Sequence, residues 1–177
     1  MDFFESIKQG VIGLLLFTGN WILPENENAA LSVESIKRIA PAEYQVITKM
    51  EMSINKQLEQ LIDAGVPLNF RFTAVSDIGD TVSMVRSLRC NVADLTYSFI
   101  DSSMSAAKTS KRYPMILLAL RDFSKWKFTL PSKAASCNAE AEILCSRVSQ
   151  LNRSVDMSRI WGHQKLKVSF TLEEGKK

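Results

Sequence analysis

Short segments in which apolar and polar residues alternate recur along this chain, and they constrain its fold more than any other feature. One runs from Tyr44 to Met52, a second from Leu68 to Ala74, a third from Trp126 to Leu130 and a fourth from Leu166 to Leu172. A period of two places one set of side chains in a core and the other in water, which is typical of a half-buried strand. The sequence therefore predicts a β-rich domain.

Two short helices interrupt the predicted strands. The first follows Ser53, a residue type that caps helices, and ends near Gly65. The second begins near Pro114, and the spacing of its apolar residues predicts a core-facing stripe that Leu118 widens: Tyr113, Ile116, Leu117, Leu120 and Phe123. The resulting fold class is α+β and β-rich: an antiparallel β-sandwich-like domain with two short helices, preceded by an N-terminal apolar helix.

Three further segments have less regular patterns. The segment Val82–Val92 suggests a strand whose alternation is broken by Arg86, and a further strand follows at Leu95–Phe99. Residues 139–148 combine helical propensity with an alternating pattern, so either a helix or a strand fits them.

An apolar run from Val11 to Leu23 precedes the predicted strands. As a helix it is about 20 Å long, short of the ~30 Å hydrocarbon core of a bilayer, so it is typical of a secretory signal or a shallow anchor. A buried N-terminal helix of a cytoplasmic domain is the alternative. We predict that residues 1–30 form a signal peptide or membrane-anchor segment, and that residues 31–177 form a single β-rich domain.

The residues that carry chemistry in enzymes and metal sites are sparse in this chain. It has 3 cysteines, an odd number that excludes a fully paired set of disulfides, and 1 histidine. Cys137 and Cys145 are too far apart along a helix or strand to pair, so any bridge requires Cys90; three small buried side chains are the simpler interpretation. The sequence predicts no metal, no cofactor, no small-molecule substrate and no enzymatic activity.

Positive charge is concentrated between Lys108 and Lys133. This segment has a net charge of +6, twice the +3 of the whole chain, because Asp122 is its one acidic residue. Cations interleaved with aromatic residues favour contact with anionic head groups or with an envelope protein, while a solvated helix face is the alternative. Nucleic acid is not expected, since no recognition motif accompanies the charges. The candidate binding residues are Lys108, Lys111, Arg112, Arg121, Lys125, Trp126, Lys127 and Lys133.

The order of elements and several short motifs resemble a bacterial family known as domain of unknown function 4390. The resemblance rests on Asn55–Phe72, which contains Ala-Gly-Val-Pro-Leu between a helix and a strand, on Leu95–Tyr97 and on Tyr113–Leu120. It covers about residues 44–172. The Trp-Tyr-Asp step of the family is represented only by Ile78–Asp80, and its Leu-Pro-x-Pro-Leu step is absent. The resemblance implies an exported or membrane-anchored domain with a β-rich, sandwich-like fold, and it supplies no catalytic residues.

Three classes of function are compatible with these patterns. We predict a non-enzymatic binding or structural protein of the bacterial cell envelope, located in the periplasm or anchored in the membrane and facing the periplasm. A cytoplasmic interaction domain or nucleic-acid-associated domain is the first alternative. An enzyme is the second, and it requires a thiol or carboxyl group with a strongly perturbed pKa inside a pocket.

Overall fold

The computed structural model describes residues 29–102, 107–148, 153–161 and 164–172. The predicted N-terminal apolar helix lies outside these residues. Strands and two short α-helices make up most of the described chain. The elements are β1 (Ala30–Ala40), β2 (Glu43–Glu51), α1 (Lys56–Asp63), β3 (Leu68–Ser76), β4 (Thr81–Asn91), β5 (Thr96–Ser102), β6 (Ala107–Thr109), α2 (Ile116–Phe123), β7 (Lys125–Pro131), β8 (Ser136–Leu144), β9 (Ser146–Val148), β10 (Arg153–Val155), a 3₁₀ turn (Ser158–Trp161) and β11 (Leu166–Thr171).

Within the described residues, two antiparallel sheets pack face to face around the core, and β9 and β10 form a separate two-stranded antiparallel sheet. The smaller of the two packed sheets has the strand order β1-β2-β7, and the larger has the order β11-β8-β3-β4-β5-β6. The ring of Phe72 in β3 stacks on Trp126 in β7 with ring centroids 5.2 Å apart, so the inner faces of the two sheets meet directly. For the described residues, this confirms the prediction of a β-rich α+β domain with two short helices.

The sequence does not indicate β1, β6 or β10, and it leaves the segment that contains most of β8 and all of β9 ambiguous. β1 pairs with β2 along its whole length, but its register shifts between Val33 and Ser35 and again between Arg38 and Ala40. A shift of one residue exchanges the two faces of a strand, so the sequence of β1 does not alternate regularly. The ambiguous segment 139–148 continues strand β8 as far as Leu144.

Helix α1 begins two residues later than the sequence predicts. Asn55, rather than Ser53, is its N-cap, and the Asn55 Oδ1 accepts a hydrogen bond from the Leu58 N–H at 2.7 Å. The predicted end is confirmed, because Gly65 follows the helix with a φ of +89°, a conformation that favours glycine.

Helix α2 buries only part of the predicted core-facing stripe, because Ile116 and Phe123 are buried as predicted and Leu117 is not. Ile116, Ala119 and Phe123 are buried, whereas Leu117 is 66% exposed and Leu120 is only partly buried. The prediction that Leu117 packs in the core is therefore wrong. The phase of the helix is set by Phe123, whose ring packs against the aromatic core, and at 100° per residue Leu117 then faces away from it.

Arg86 occupies a core-facing position of β4, so it does not break the strand. Its Nη1 donates to the carbonyl oxygens of Phe123 and Lys125 at 2.6 and 2.7 Å. Its Nη2 donates to the Asp101 carboxylate at 2.8 Å, and its Nε donates to the other oxygen of that carboxylate. The buried guanidinium therefore links β4 to β5 and to the junction between α2 and β7, with its polar atoms paired.

The first prediction concerns two buried polar atoms. Within the described part of the chain, Thr48 Oγ1 and Trp126 Nε1 have no hydrogen-bond partner, and the two residues face each other across β2 and β7. An unpaired buried hydroxyl costs about 1–3 kcal/mol. Thr48→Val, which keeps the shape of the side chain, is therefore expected to raise the free energy of unfolding by about 1 kcal/mol in urea denaturation. The exposed Thr129→Val is the control, and equal shifts for both variants would contradict the prediction.

Candidate functional site

The candidate cations do not form one continuous surface. Lys111, Arg112 and Arg121 lie around α2, and each is largely exposed. Lys125 and Lys127 alternate with buried residues of β7 and so lie on the outer face of the smaller sheet.

The remaining two lysines lie elsewhere. Lys133 lies in the turn between β7 and β8, at the far end of a strand about 20 Å long. Lys108 belongs to β6, where it lies opposite Asp101 in the backbone register. The structure thus brings the candidate cations together mainly at α2 and at the start of β7.

Trp126 does not belong to this surface. Its side chain is 0% exposed and lies between the sheets, with its ring stacked on Phe72 and the Arg86 Cζ atom 4.3 Å from its ring centroid. The prediction that Trp126 is one of the binding residues of this surface is therefore wrong. In a strand, neighbouring residues point to opposite faces, so the exposure of Lys125 and Lys127 itself places Trp126 in the core.

Asp122 is an acidic residue that lies between the cations around α2. The Tyr113 hydroxyl donates to Asp122 Oδ2 at 2.9 Å, the Arg121 Nε lies 3.3 Å from Oδ1, and the Lys111 Nζ lies 3.9 Å from Oδ2. Burial opposes ionisation of Asp122, but these contacts lower its pKa overall. Burial, and then the hydrogen bond to Asp122, raise the pKa of Tyr113 to about 12. At neutral pH, two cations therefore face one carboxylate.

Exposed apolar side chains lie beside these cations, and sequence reasoning missed them. Met115, Leu117 and Leu118 are 55, 66 and 37% exposed, and Leu95 in the β4–β5 turn is 53% exposed. Tyr97 and Tyr113 form an antiparallel bridge and Arg112 pairs with Asp94, so the turn that carries Leu95 lies beside the segment that leads through Met115 into α2. We call Leu95, Met115, Leu117 and Leu118 the α2 apolar surface.

A shallow groove of about 270 Å³ lies between α2 and the end of β2. Met52 and Leu120 contribute to its lining. Ala30, at the start of β1, pairs with Glu51, the residue before Met52. The chain therefore enters the fold beside α2.

The described cysteines and acidic residues make no evident catalytic or metal centre. Cys90 and Cys137 are buried as predicted, whereas Cys145 is exposed. Burial raises the pKa of the Cys137 thiol to about 11, which disfavours the reactive thiolate. His163 lies outside the described residues. Within the described ranges, no group of three metal-binding side chains was found, and no helix is long and apolar enough to cross a membrane.

The remaining observations come from comparison with known proteins. The chain matches no family model, no curated protein sequence and no solved structure.

Proposed function

We propose that this chain is a non-enzymatic binding protein of the bacterial cell envelope that docks on an anionic membrane surface. In this proposal residues 1–30 export or anchor the chain, and the β-rich domain faces the periplasm. The observation that carries the proposal is that the exposed cations around α2 lie next to exposed apolar side chains, with Lys125 and Lys127 on the outer face of the strand that follows α2.

The ion pairs of these cations are weak enough to be exchanged. Arg112 pairs with Asp94 at 3.4 Å, and Lys125 pairs with Glu34, in each case with both side chains substantially exposed. Exposed pairs contribute about 0–1 kcal/mol, whereas a lysine or arginine near an anionic leaflet contributes about 1 kcal/mol. Lys127 has no acidic partner within the described part of the chain. Breaking these ion pairs therefore costs little free energy. The attraction of each cation to lipid phosphates is larger, and it adds up over several residues.

The N-terminal segment supports the same location. Its apolar run from Val11 to Leu23 is typical of a secretory signal or shallow anchor. The resemblance to domain of unknown function 4390 also favours an exported or anchored domain.

The second prediction tests the membrane proposal with the full chain. At low salt, we expect stronger partition into vesicles that contain phosphatidylglycerol than into neutral phosphatidylcholine vesicles. Changing Lys111, Arg112, Lys125 and Lys127 together to glutamine should remove this preference. At about 1 kcal/mol for each cation, the loss is on the order of 10³-fold. Raising the salt to 1 M, where the Debye length is ~3 Å, should weaken the binding of the unchanged chain.

The control makes the same change of charge on another surface. Arg71, Arg89, Lys165 and Lys167 lie on or beside the outer face of the larger sheet, and glutamine at these four positions should leave the preference intact. Thermal unfolding should stay nearly unchanged in both variants, since exposed charges contribute little to folding. Equal partition of the unchanged chain into the two kinds of vesicle at low salt would rule out the membrane as the partner.

A further inference from the structure

We infer that the α2 apolar surface inserts into the bilayer of an anionic membrane. This inference rests on the proposed function and deepens it by naming the inserting residues.

The exposed apolar residues of the described chain are not scattered evenly. Seven large hydrophobic side chains are exposed there, and four of them form the α2 apolar surface. On α2, Leu117 and Leu118 point away from the side that carries Ile116, Ala119 and Phe123, so they have no role in the core. A contiguous exposed apolar patch with a polar rim marks an interaction surface rather than ordinary surface composition.

Leu95 adds an observation that is independent of the helix. It has a φ of +51°, in the left-handed region that favours glycine, and its side chain is exposed. The backbone conformation therefore disfavours leucine, and burial in the fold does not compensate. Insertion of the side chain into an apolar medium is a role that explains leucine at this position.

The charged residues around the α2 apolar surface indicate the kind of partner. Arg121 follows Leu117 by four residues and Leu118 by three, so it lies one turn further along the exposed side of α2. Lys111 lies across Asp122 from Arg121, and Arg112 lies three residues before Met115. Long cationic side chains around an apolar centre suit a bilayer interface, where the stems lie against acyl chains and the charges reach phosphates. A second copy docking through the same patch would bring like charges together.

The start of the described chain lies on the same side of the molecule. Ala30 pairs with Glu51, and the groove lined by Met52 and Leu120 lies between this end of β2 and α2. An anchor formed by residues 1–28 would therefore hold α2 close to the membrane that contains it. The patch and the anchor then act on one bilayer.

The third prediction tests the inserting residues in the full chain. Met115, Leu117 and Leu118 are changed together to glutamine, and partition into phosphatidylglycerol vesicles is measured. We expect a decrease of about tenfold for each side chain that inserts. The matched control changes Ile39, Val75 and Ile78 to glutamine, three exposed apolar residues outside the patch, and should bind like the unchanged chain.

Leu95→Gly separates binding from folding. Because glycine adopts a positive φ without strain, the thermal midpoint should stay the same or rise, while vesicle binding falls. A merely structural role for Leu95 would give the opposite result, a lower midpoint with unchanged binding.

The occupant of this surface is tested with a polarity-sensitive fluorophore on Leu117→Cys, in a Cys145→Ser background that removes the exposed native thiol. Its emission should indicate water in the free protein and shift to the blue with anionic vesicles. Apolar emission without vesicles would overturn the inference, because residues 1–28 or a second copy would already cover the patch. Unchanged vesicle binding of the triple variant would overturn the inference while leaving the proposed function intact. An unchanged chain with no anionic preference would overturn the proposed function itself.

Discussion

Replacing Arg86 with alanine is expected to destabilise the domain by about 3–5 kcal/mol, the range for removing one partner of a buried ion pair. The substitution leaves the Asp101 carboxylate without its bidentate partner. It also removes the donor shared by the carbonyl oxygens of Phe123 and Lys125. The guanidinium further lies 4.8 Å from the Phe99 ring centroid, so the loss includes packing in the aromatic core. Urea denaturation measures the change in the free energy of unfolding.

Arg71→Ala is the matched control for this fourth prediction. Arg71 lies on the neighbouring strand and pairs with Glu142 at 2.9 Å, but about half of its side chain is exposed. Removing it should cost less than about 1 kcal/mol. Similar losses for the two arginines would show that Arg86 is not a buried link between the sheets. A double-mutant cycle with Asp101→Asn then isolates the contribution of the pair.

Arg86 also shows which strands an alternating pattern can predict and which contacts it cannot. The strands with regular alternation, β2, β3, β7 and β11, could be predicted because each has one face in the core and one in water. In β4 the pattern appears broken, since an arginine stands where an apolar residue is expected. Its partners are Asp101 and two carbonyl oxygens from distant parts of the chain, and no local pattern indicates that they meet.

The position of helix α2 could be predicted from the sequence, and so could the burial of Ile116 and Phe123, but the exposure of Leu117 could not be read from spacing alone. The apolar run from Met115 to Leu120 covers the whole circumference of a helix that packs on only one side, so some of its residues must be exposed. Which of these residues face the core depends on Phe123 and its contacts with Phe70 and Trp126, and these are tertiary contacts.

The candidate site was predicted in part for a similar reason. The charge of the segment Lys108–Lys133 identifies the cations but not their positions. In β7 every second residue points into the core, and the following turn places Lys133 away from the others. The surface that remains, around α2 and the start of β7, is smaller than the segment. Leu95 joins it through the bridge between Tyr97 and Tyr113, which sequence spacing does not indicate.

Trp126→Ala is expected to lower the free energy of unfolding by about 3–5 kcal/mol, as for other large-to-small changes in a core. Its ring is fully buried and contacts Phe72, Phe123 and the Arg86 guanidinium. Leu117→Ala is the control, and its free energy of unfolding should stay within about 0.5 kcal/mol of that of the unchanged chain, since that side chain is exposed.

Trp126→Phe should lower the free energy of unfolding less than Trp126→Ala does, because phenylalanine keeps an aromatic ring and removes the unpaired Nε1 donor. Combined with Arg86→Ala, Trp126→Ala should cost less than the sum of the two, since the side chains are in contact. A loss below about 0.5 kcal/mol for Trp126→Ala would place the indole on the surface and restore it as a candidate for membrane insertion.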